Sequence, residues 1–351
     1  MTVDQLIAWG RQRKCSDLHL SAGRNPIFRM AGQLMDSEFA LSYDEMKHLI
    51  FSIMTSEQMD ILASGRDVDF SYQTPDGCRQ RVNIYQEQGN LCAAIRLLND
   101  TIPKMEELGL PPILKQLAMQ PRGLILVTGP TGSGKSTTLA AMVDYINQNK
   151  STHILTIEDP IEYKYPAGRA MIHQREIGQD VESFAAALRS ALREDPDVIL
   201  VGEMRDFETI SAAVTAAETG HLVLSTLHTT GAANTIDRIV DVFPPHSQGQ
   251  IRSQLSNILR GVITQTLLPD LNKGRVPALE IMLGTPAIGN LIRDGKTHQL
   301  SSAMQMGMKD GMMPLNAALA QLVSQQKISL DTAMSTSNDL NEFQQYLHGI
   351  H

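Results

Sequence analysis

Apolar and polar positions alternate differently before and after about residue 100 of this chain. The first part predicts a small mixed domain, with a short helix at 4–13 and a second helix beginning at Ser42. Period-two alternation predicts strands between and after these helices, and Gly and Pro clusters mark the turns between them. The predicted strands include 17–21, 68–72, 79–84 and 91–98, the last three as a coarse hairpin pattern.

The second part alternates strand-like runs with helix-like segments, which is typical of a parallel sheet wrapped by helices. We therefore predict an α/β fold class. A linker at 100–112, rich in Pro and Gly, separates the two parts, and after Leu268 the pattern turns largely helical. The predicted strands are 124–128, 153–157, 198–201 and 222–227, with a weaker one at 276–283 that Pro277 interrupts.

A glycine-rich segment follows the first of these strands and fits the phosphate-loop pattern G-x-x-x-x-G-K-[ST]. Small residues let backbone N–H groups close on phosphate oxygens, and the helix that follows points its positive end at the same charge. Lys135 would reach the β- and γ-phosphates of ATP, and the Ser136 hydroxyl would hold Mg²⁺. The predicted binding residues are Gly129, Pro130, Thr131, Gly132, Ser133, Gly134, Lys135, Ser136 and Thr137.

Carboxylates follow two other predicted strands. Glu203 ends the apolar run 198–201 and takes the Walker B role, holding Mg²⁺ through its water shell, although Gly202 and Glu203 replace the usual Asp. The segment 156–162 carries Glu158, Asp159 and Glu162, one of which could orient the attacking water. The alternative is that Glu158 and Asp159 cap a following helix or turn. Because ligands bind at the carboxyl ends of parallel strands, these acids should share one rim.

Two histidines bracket the predicted strand 222–227. His221 and His228 are seven positions apart and fall on opposite faces of an ideal strand, which argues against a shared metal site. His228, at the carboxyl end, is the better functional candidate. In the first part, Arg79, Arg81 and Asn83 share one face of a strand, either as a solvated surface or as a functional one.

Charge and cysteine content disfavour several functional and structural classes. The net charge of −8 is spread over both parts, so we expect no nucleic-acid partner, and a RecA-like nucleic-acid motor is the less favoured alternative. Three widely spaced cysteines without a C-x-x-C pair argue against a disulfide framework and a structural zinc site. With no leader and no apolar run of about 18 residues, we expect a cytoplasmic protein.

Several motifs in one order resemble the secretion-type ATPases, and among them the PilT retraction motors of type IV pili. They are the phosphate loop and the segments 157–163, 190–197, 201–206, 216–221 and 228–230, with 16–23 near the start of the chain. The resemblance implies a PAS-like N-terminal domain (1–99), a linker (100–112), a RecA-like ATPase domain (113–268), a helical C-terminal region (269–351) and a homohexamer. It also implies peripheral attachment at the inner membrane through a pilus platform protein, and a possible paralogous pilus motor as partner.

The same resemblance implies roles for single residues. Glu162 is the expected catalytic base and Glu158 its competitor, while Glu203 is the Walker B acid and His228 belongs to a histidine box. Arg81 and Arg96, and less securely Arg79, match arginines that complete the nucleotide site in this family, where cations stabilise charge on the γ-phosphate.

One stretch departs from the retraction motors. Where they have Ala-Ile-Arg-Asn-Leu-Ile-Arg-Glu, this chain has Gly289 in place of the first arginine. That difference raises the alternative of an accessory PilT-like motor for pilus retraction and twitching motility. An extension or type II secretion ATPase is a further alternative, ranked lower because that branch usually carries a tetracysteine module. A non-catalytic binding subunit is disfavoured because all the catalytic acids are present.

Overall fold

A computed structural model describes residues 1–30, 32–98, 101–272 and 274–349. The chain divides into two compact units. The first unit contains Met1–Thr101 together with the short segment Pro160–Lys164, and the second contains Ile102–Asp159 and Tyr165–His351. The predicted boundary between 99 and 100 lies outside the described residues.

The first unit is built on a six-stranded antiparallel sheet in the order β3-β2-β1-β6-β5-β4. The central strand Arg79–Glu87 alternates between buried and more exposed residues, as expected where one face of a sheet packs on a core. Helices supply the other side of this core, and each begins with a reciprocal capping box, at Thr2, Ser42 and Thr55. The elements are α1 (Val3–Gln12), β1 (Cys15–Ser21), β2 (Ile27–Met30), β3 (Gln33–Asp36), α2 (Tyr43–Phe51), α3 (Ser56–Ala63), β4 (Val68–Gln73), β5 (Arg79–Glu87) and β6 (Asn90–Leu97).

The second unit contains a seven-stranded sheet in the order β13-β12-β7-β11-β10-β8-β9. All neighbouring pairs are parallel except β12 with β13. The central strands are buried on both faces, which explains their unbroken apolar runs. The strands are β7 (Gly123–Thr128), β8 (His153–Glu158), β9 (Met171–Glu176), β10 (Val198–Val201), β11 (Leu222–Leu227), β12 (Leu259–Pro269) and β13 (Arg275–Leu283).

Helices pack on both faces of this sheet and form two large apolar cores, while a third, smaller core lies among the last helices. None of the helices in the described parts of the chain is long and apolar enough to cross a membrane. The helices are α4 (Ile113–Ala118), α5 (Lys135–Asn149), α6 (Phe184–Ala191), α7 (Phe207–Glu218), α8 (Ala232–Asp241), α9 (Gln248–Ile258), α10 (Pro286–Arg293), α11 (Leu300–Met306), α12 (Leu315–Ser324), α13 (Leu330–Thr336) and α14 (Leu340–Gly349).

Two strands of the second sheet are additional to those predicted. The edge strand β9 is largely polar, and β12 follows directly after α9, so that its apolar residues extend a helical run. The predicted boundary after Leu268 falls inside the pair β12 and β13, because Leu268 pairs with Val276 across that hairpin. The sheet therefore continues to Leu283 before the chain becomes helical.

Candidate active site

The carboxyl ends of four neighbouring strands form one rim of the second sheet. These strands lie in the order β7, β11, β10, β8, and all are parallel. Their ends lead in that order into the phosphate loop, His228, Glu203 and Glu158. The fold thus brings four segments that are distant in sequence to adjacent positions, where parallel sheets bind ligands.

The phosphate loop follows β7 and adopts a backbone that requires glycine. Gly129, Gly132 and Gly134 have φ values of 139°, 79° and 87°, a region that L side chains rarely adopt. A Cβ at Gly129 would lie 2.2 Å from the carbonyl oxygen of Gln265 and 2.8 Å from Oγ of Ser133. Glycine is therefore required at position 129 both by the backbone conformation and by the close neighbouring atoms.

Lys135 is the first residue of α5 and is only 8% exposed. Its Nζ donates hydrogen bonds to the carbonyl oxygens of Gly129 at 2.9 Å and Pro130 at 3.0 Å. The described α5 has no side-chain cap hydrogen bond at its start and no acidic residue in its first turn. This end is suited to a phosphate group.

Gln265, on β12, binds the phosphate loop through its side-chain amide, a contact that the sequence did not predict. It is 3% exposed, and its Nε2 donates to the carbonyl oxygen of Ser133 at 2.6 Å. Its Oε1 accepts a hydrogen bond from Oγ1 of Thr138 at 2.7 Å, so one amide joins the loop to the first turn of α5. The available signal for a supporting residue was the polar pair Thr264 and Gln265, which directly follows the apolar residues Val262 and Ile263.

The segment that carries Glu203 is held by the neighbouring strand β11. Thr226 donates its hydroxyl to the carbonyl of Gly202 at 2.6 Å, and its own carbonyl accepts the N–H of Met204 at 3.1 Å. Glu203 Oε2 contacts Nη2 of Arg205 at 2.8 Å and Nε2 of His228 at 3.5 Å. The structure therefore joins two of the predicted site residues, Glu203 and His228, and adds Arg205.

The two candidates for the catalytic base lie in different surroundings. Glu158 ends β8, and its Oε1 accepts hydrogen bonds from Thr156 Oγ1 at 2.6 Å and Gln174 Nε2 at 3.2 Å. Glu162 is partly exposed and belongs to the segment Pro160–Lys164 of the first unit. In the described residues, no helix begins directly after Glu158, so it caps none.

The two histidines separate as the strand geometry indicates. His221, before β11, has its Nδ1 2.9 Å from the carbonyl oxygen of Ala216 and 3.3 Å from Oγ1 of Thr219, which is a local structural contact. His228 contacts Glu203 instead. Within residues 1–30, 32–98, 101–272 and 274–349, no cluster of three or more His, Cys, Asp or Glu could hold a metal ion.

The predicted arginines lie on the exposed face of the first sheet, where Arg81 stands directly opposite Arg96 across β5 and β6. Arg81 forms an ion pair with Asp69 at 2.8 Å, and Arg96 with Asp17 at 3.3 Å. Arg79 donates to the hydroxyl of Ser71. The strand face predicted from sequence therefore exists, with Val82 and Ile84 buried on the other side.

The residues at the rim fit a magnesium-bound triphosphate by their chemistry. The Ser133 hydroxyl is buried and has no hydrogen-bond partner among the described residues, which leaves a donor for a phosphate oxygen. Ser136 has an exposed hydroxyl in the first turn of α5, and Glu203 has a carboxylate. A hydroxyl and a carboxylate are both oxygen ligands of the kind that Mg²⁺ prefers.

Comparison with known proteins agrees with this geometry. The family described as Type II/IV secretion system protein matches residues 3–277. The chain belongs to this family. Among relatives of this secretion ATPase, the type IV pilus retraction ATPase PilT of Pseudomonas aeruginosa is 49% identical over 95% of this chain and 97% of that protein. The type IV pilus ATPase PilU of the same organism is 37% identical over 97% of this chain and 90% of that protein.

A solved structure extends the likeness to the fold. The crystal structure of the pilus retraction motor PilT with bound ADP superimposes on this secretion ATPase with a TM-score of 0.92 and 46% identity. The match covers 98% of this chain and 99% of that one. The predicted resemblance to PilT-type ATPases and the predicted α/β fold class are confirmed. The PAS-like character of the first unit stays a prediction.

Proposed function

We propose that this chain is an ATPase motor that hydrolyses Mg-ATP to power type IV pilus retraction and twitching motility. The observation that carries the proposal is the rim of the second sheet, where the phosphate loop, His228, Glu203 and Glu158 follow four neighbouring strands. The identity of 49% to a retraction ATPase over nearly the whole chain supports the mechanical part.

In the proposed mechanism, the loop and the N-terminus of α5 bind the phosphates, and Lys135 exchanges its contacts with loop carbonyls for the β- and γ-phosphate oxygens. Ser136 and Glu203 would hold Mg²⁺, which would supply positive charge to offset that of the phosphates. A carboxylate that orients or deprotonates water contributes about 10²–10⁴-fold to the rate. We assign this role to Glu162, with Glu158 as the alternative.

Other residues serve the same reaction. His228, 3.5 Å from Glu203, positions that carboxylate, and Gln265 holds the loop. The cations Arg81 and Arg96 stabilise the charge that develops on the γ-phosphate. The assignment of the two arginines and of Glu162 rests on the resemblance of their motifs to the family.

The assembly and location are also proposals. We propose a homohexamer in the cytoplasm that attaches peripherally to the inner membrane by binding a pilus platform protein. Identity is 49% to PilT and 37% to PilU, which favours a principal retraction motor over an accessory one. The departure at Gly289 is the specific observation that keeps the accessory role as a second candidate.

Two measurements test the proposal. Purified protein should hydrolyse ATP when Mg²⁺ is present, and Lys135→Ala and Glu203→Gln should abolish most of this activity. Glu87→Gln, at an exposed carboxylate at the end of β5, is the matched control and should retain it. In a deletion strain, wild-type protein and Glu87→Gln should restore pilus retraction, whereas Glu203→Gln should not. A folded protein that ignores ATP, or turnover that requires DNA, would overturn the proposal.

A further inference from the structure

A carboxylate outside the rim, Glu280, stands on β13, a strand that is tied to the starts of two helices. Its Oε1 accepts the backbone N–H of Ala232, the first residue of α8, at 2.6 Å. Its neighbour on β13, Ile281, pairs with Met313 just before α12. Since α8 has Gly231 as its N-cap residue and no side-chain cap of its own, Glu280 supplies from another element the acceptor that α8 lacks.

The helix α8 begins immediately after the turn that carries His228. Gly231, in this turn, has a φ of 89°, and a Cβ there would lie 3.9 Å from Oε1 of Glu280. Two side-chain contacts tie the turn to the first residues of α8: Thr229 to Thr235 between hydroxyls at 2.7 Å, and Asn234 to the carbonyl of Thr230 at 2.9 Å. The turn and the start of α8 thus form one connected segment.

The other helix, α12, is anchored among the last helices of the chain. The chain just before it pairs with β13, because Ile281 and Met313 exchange backbone hydrogen bonds at 2.8 Å and 2.9 Å. Asn316 is fully buried, and its amide binds Asn338 at 2.8 Å and Glu342 of α14, while Ser337 donates to it at 2.8 Å. The start of α12 therefore has a fixed position relative to β13 and α14.

We propose that Glu280 is a positioning residue of the ATPase site, which holds the His228 turn in register with α12. Through this turn it sets the contact between His228 and Glu203. The inference goes beyond the binding of nucleotide, because it makes the seating of a C-terminal helix a determinant of turnover. It rests on the proposed function for its activity measurement only. Since His228 contacts Glu203 and no phosphate-loop residue in the described contacts, the effect should fall on kcat and leave KM for ATP close to the wild-type value.

The experiment compares variants that keep or remove the hydrogen-bond acceptor. Glu280→Gln keeps an acceptor oxygen and loses the charge, whereas Glu280→Met keeps the length of the side chain and loses the acceptor. Glu280→Met should lower kcat by about 10-fold or more, since small misplacements at a catalytic group reduce rates strongly. Glu280→Gln should turn over ATP nearly as fast as the wild type. Glu45→Met, at an exposed carboxylate that accepts the backbone N–H of Ser42 at 2.8 Å, is the matched control.

Hydrogen exchange measures the same contact without any activity. In nucleotide-free protein, the peptide covering the start of α8 should exchange faster in Glu280→Met than in Glu280→Gln and the wild type. If Glu280→Met is folded and retains wild-type kcat, or if Glu280→Gln loses as much as Glu280→Met, the positioning role is wrong. If Glu280→Met does not fold, Glu280→Gln decides: a large loss of kcat there refutes the role, and wild-type kcat with preserved protection supports it. A wild-type protein without ATPase activity would refute the proposed function while leaving the exchange result in place.

Discussion

Gln265 donates its side-chain N–H to the carbonyl of Ser133 at 2.6 Å and so ties the phosphate loop to a neighbouring strand. The same amide accepts from Thr138, and it is buried. The loop therefore has a support that lies about 130 positions later in the chain.

We expect Gln265→Leu to weaken nucleotide binding, because the loop then loses both hydrogen bonds to this side chain. Each such bond contributes roughly 0.5–1.5 kcal/mol, so two together correspond to a rise of about 5- to 150-fold in the Kd for ADP if the whole loss falls on binding. Titration of purified protein with ADP measures the change. Gln265→Glu provides the sharper comparison, since it keeps the acceptor for Thr138 but turns an oxygen toward the Ser133 carbonyl. An unchanged Kd in both variants would show that the loop does not depend on this support.

Much of the rim was predictable from sequence because each strand is a short apolar run that ends in a polar residue. The runs before Gly129, Glu158, Glu203 and His228 are buried on both faces, and such runs stand out in a sequence. The order of the strands, which makes His228 and Glu203 neighbours, needed the structure, because sequence spacing does not determine which parallel strands lie side by side.

The support at Gln265 was missed for a different reason. Its strand, β12, follows α9 without a turn, and a short apolar run after a helix can continue as either element. The close packing of Gly289 was also not predictable, because in the sequence this residue is only a substitution within a motif. Its space is limited by the backbone of Ser256 in α9, and no local sequence pattern reveals a contact between two helices.

A second prediction concerns the pair Glu203 and His228, whose side chains are 3.5 Å apart. If His228 acts by positioning Glu203, then the two substitutions should not be additive. We expect Glu203→Gln to lower kcat by about 10²-fold or more and His228→Ala to lower it less. In the double variant, His228→Ala should add almost nothing, because residues in contact show coupling energies of about 0.5–3 kcal/mol. Steady-state ATPase rates of the wild type, the two single variants and the double variant complete this double-mutant cycle. Fully additive effects would show that His228 does not act through Glu203.

A third prediction concerns Arg81. Its ion pair with Asp69 is well exposed, with 43% and 46% of the two side chains accessible. Exposed pairs of this kind contribute about 0–1 kcal/mol to stability. We therefore expect Arg81→Ala to leave the unfolding midpoint nearly unchanged while turnover is lost. Arg29→Ala, on the same face of the sheet and 38% exposed, is the control and should keep its activity. Equal turnover in both variants would show that Arg81 is a solvated surface residue without a part in the reaction.

A fourth prediction uses the pH dependence of stability. Burial raises the pKa of the Glu280 carboxyl above its usual value, and the nearby Glu342 carboxylate raises it further, despite the hydrogen bond from the backbone N–H of Ala232. A raised pKa in the folded protein means that Glu280 favours the folded state most below the pKa of the unfolded chain. This contribution is lost as the pH rises through the folded pKa.

Glu280→Gln removes this titration and keeps an acceptor oxygen. We therefore expect the difference in unfolding temperature between Glu280→Gln and the wild type to shift in favour of the variant as the pH rises above about 4, the ordinary pKa of a Glu carboxyl. The difference should level off once Glu280 is ionised in the folded protein. Calorimetric unfolding at several pH values measures the difference. A Glu87→Gln variant, whose exposed carboxylate lies at the end of β5, controls for the loss of one charge. A difference that does not vary with pH would contradict the raised pKa.

The last prediction concerns Gly289, the residue at which this chain departs from the retraction motors. Gly289 is buried in α10, and a Cβ at this position would lie 2.8 Å from the backbone carbonyl oxygen of Ser256 in α9. Arg293, one turn later, donates to the Ser256 hydroxyl at 3.1 Å, so the two helices are in close contact at this point. A glycine within a helix costs about 1 kcal/mol relative to alanine. We infer that the close approach of the helices outweighs this cost.

Gly289→Ala should therefore destabilise the protein although alanine favours helix, because overpacking against a backbone atom costs about 1–3 kcal/mol. Gly289→Arg should cost more, since the longer side chain must push α10 away from α9. Denaturant unfolding measures both, with Ala287→Arg as the control, because Ala287 is exposed on the same helix and tolerates a long side chain. If Gly289→Arg were as stable as the wild type, then α10 could move away from α9 at little cost. In that case the motif difference would have to act on partner binding, and pilus retraction by the Gly289→Arg strain would be the deciding measurement.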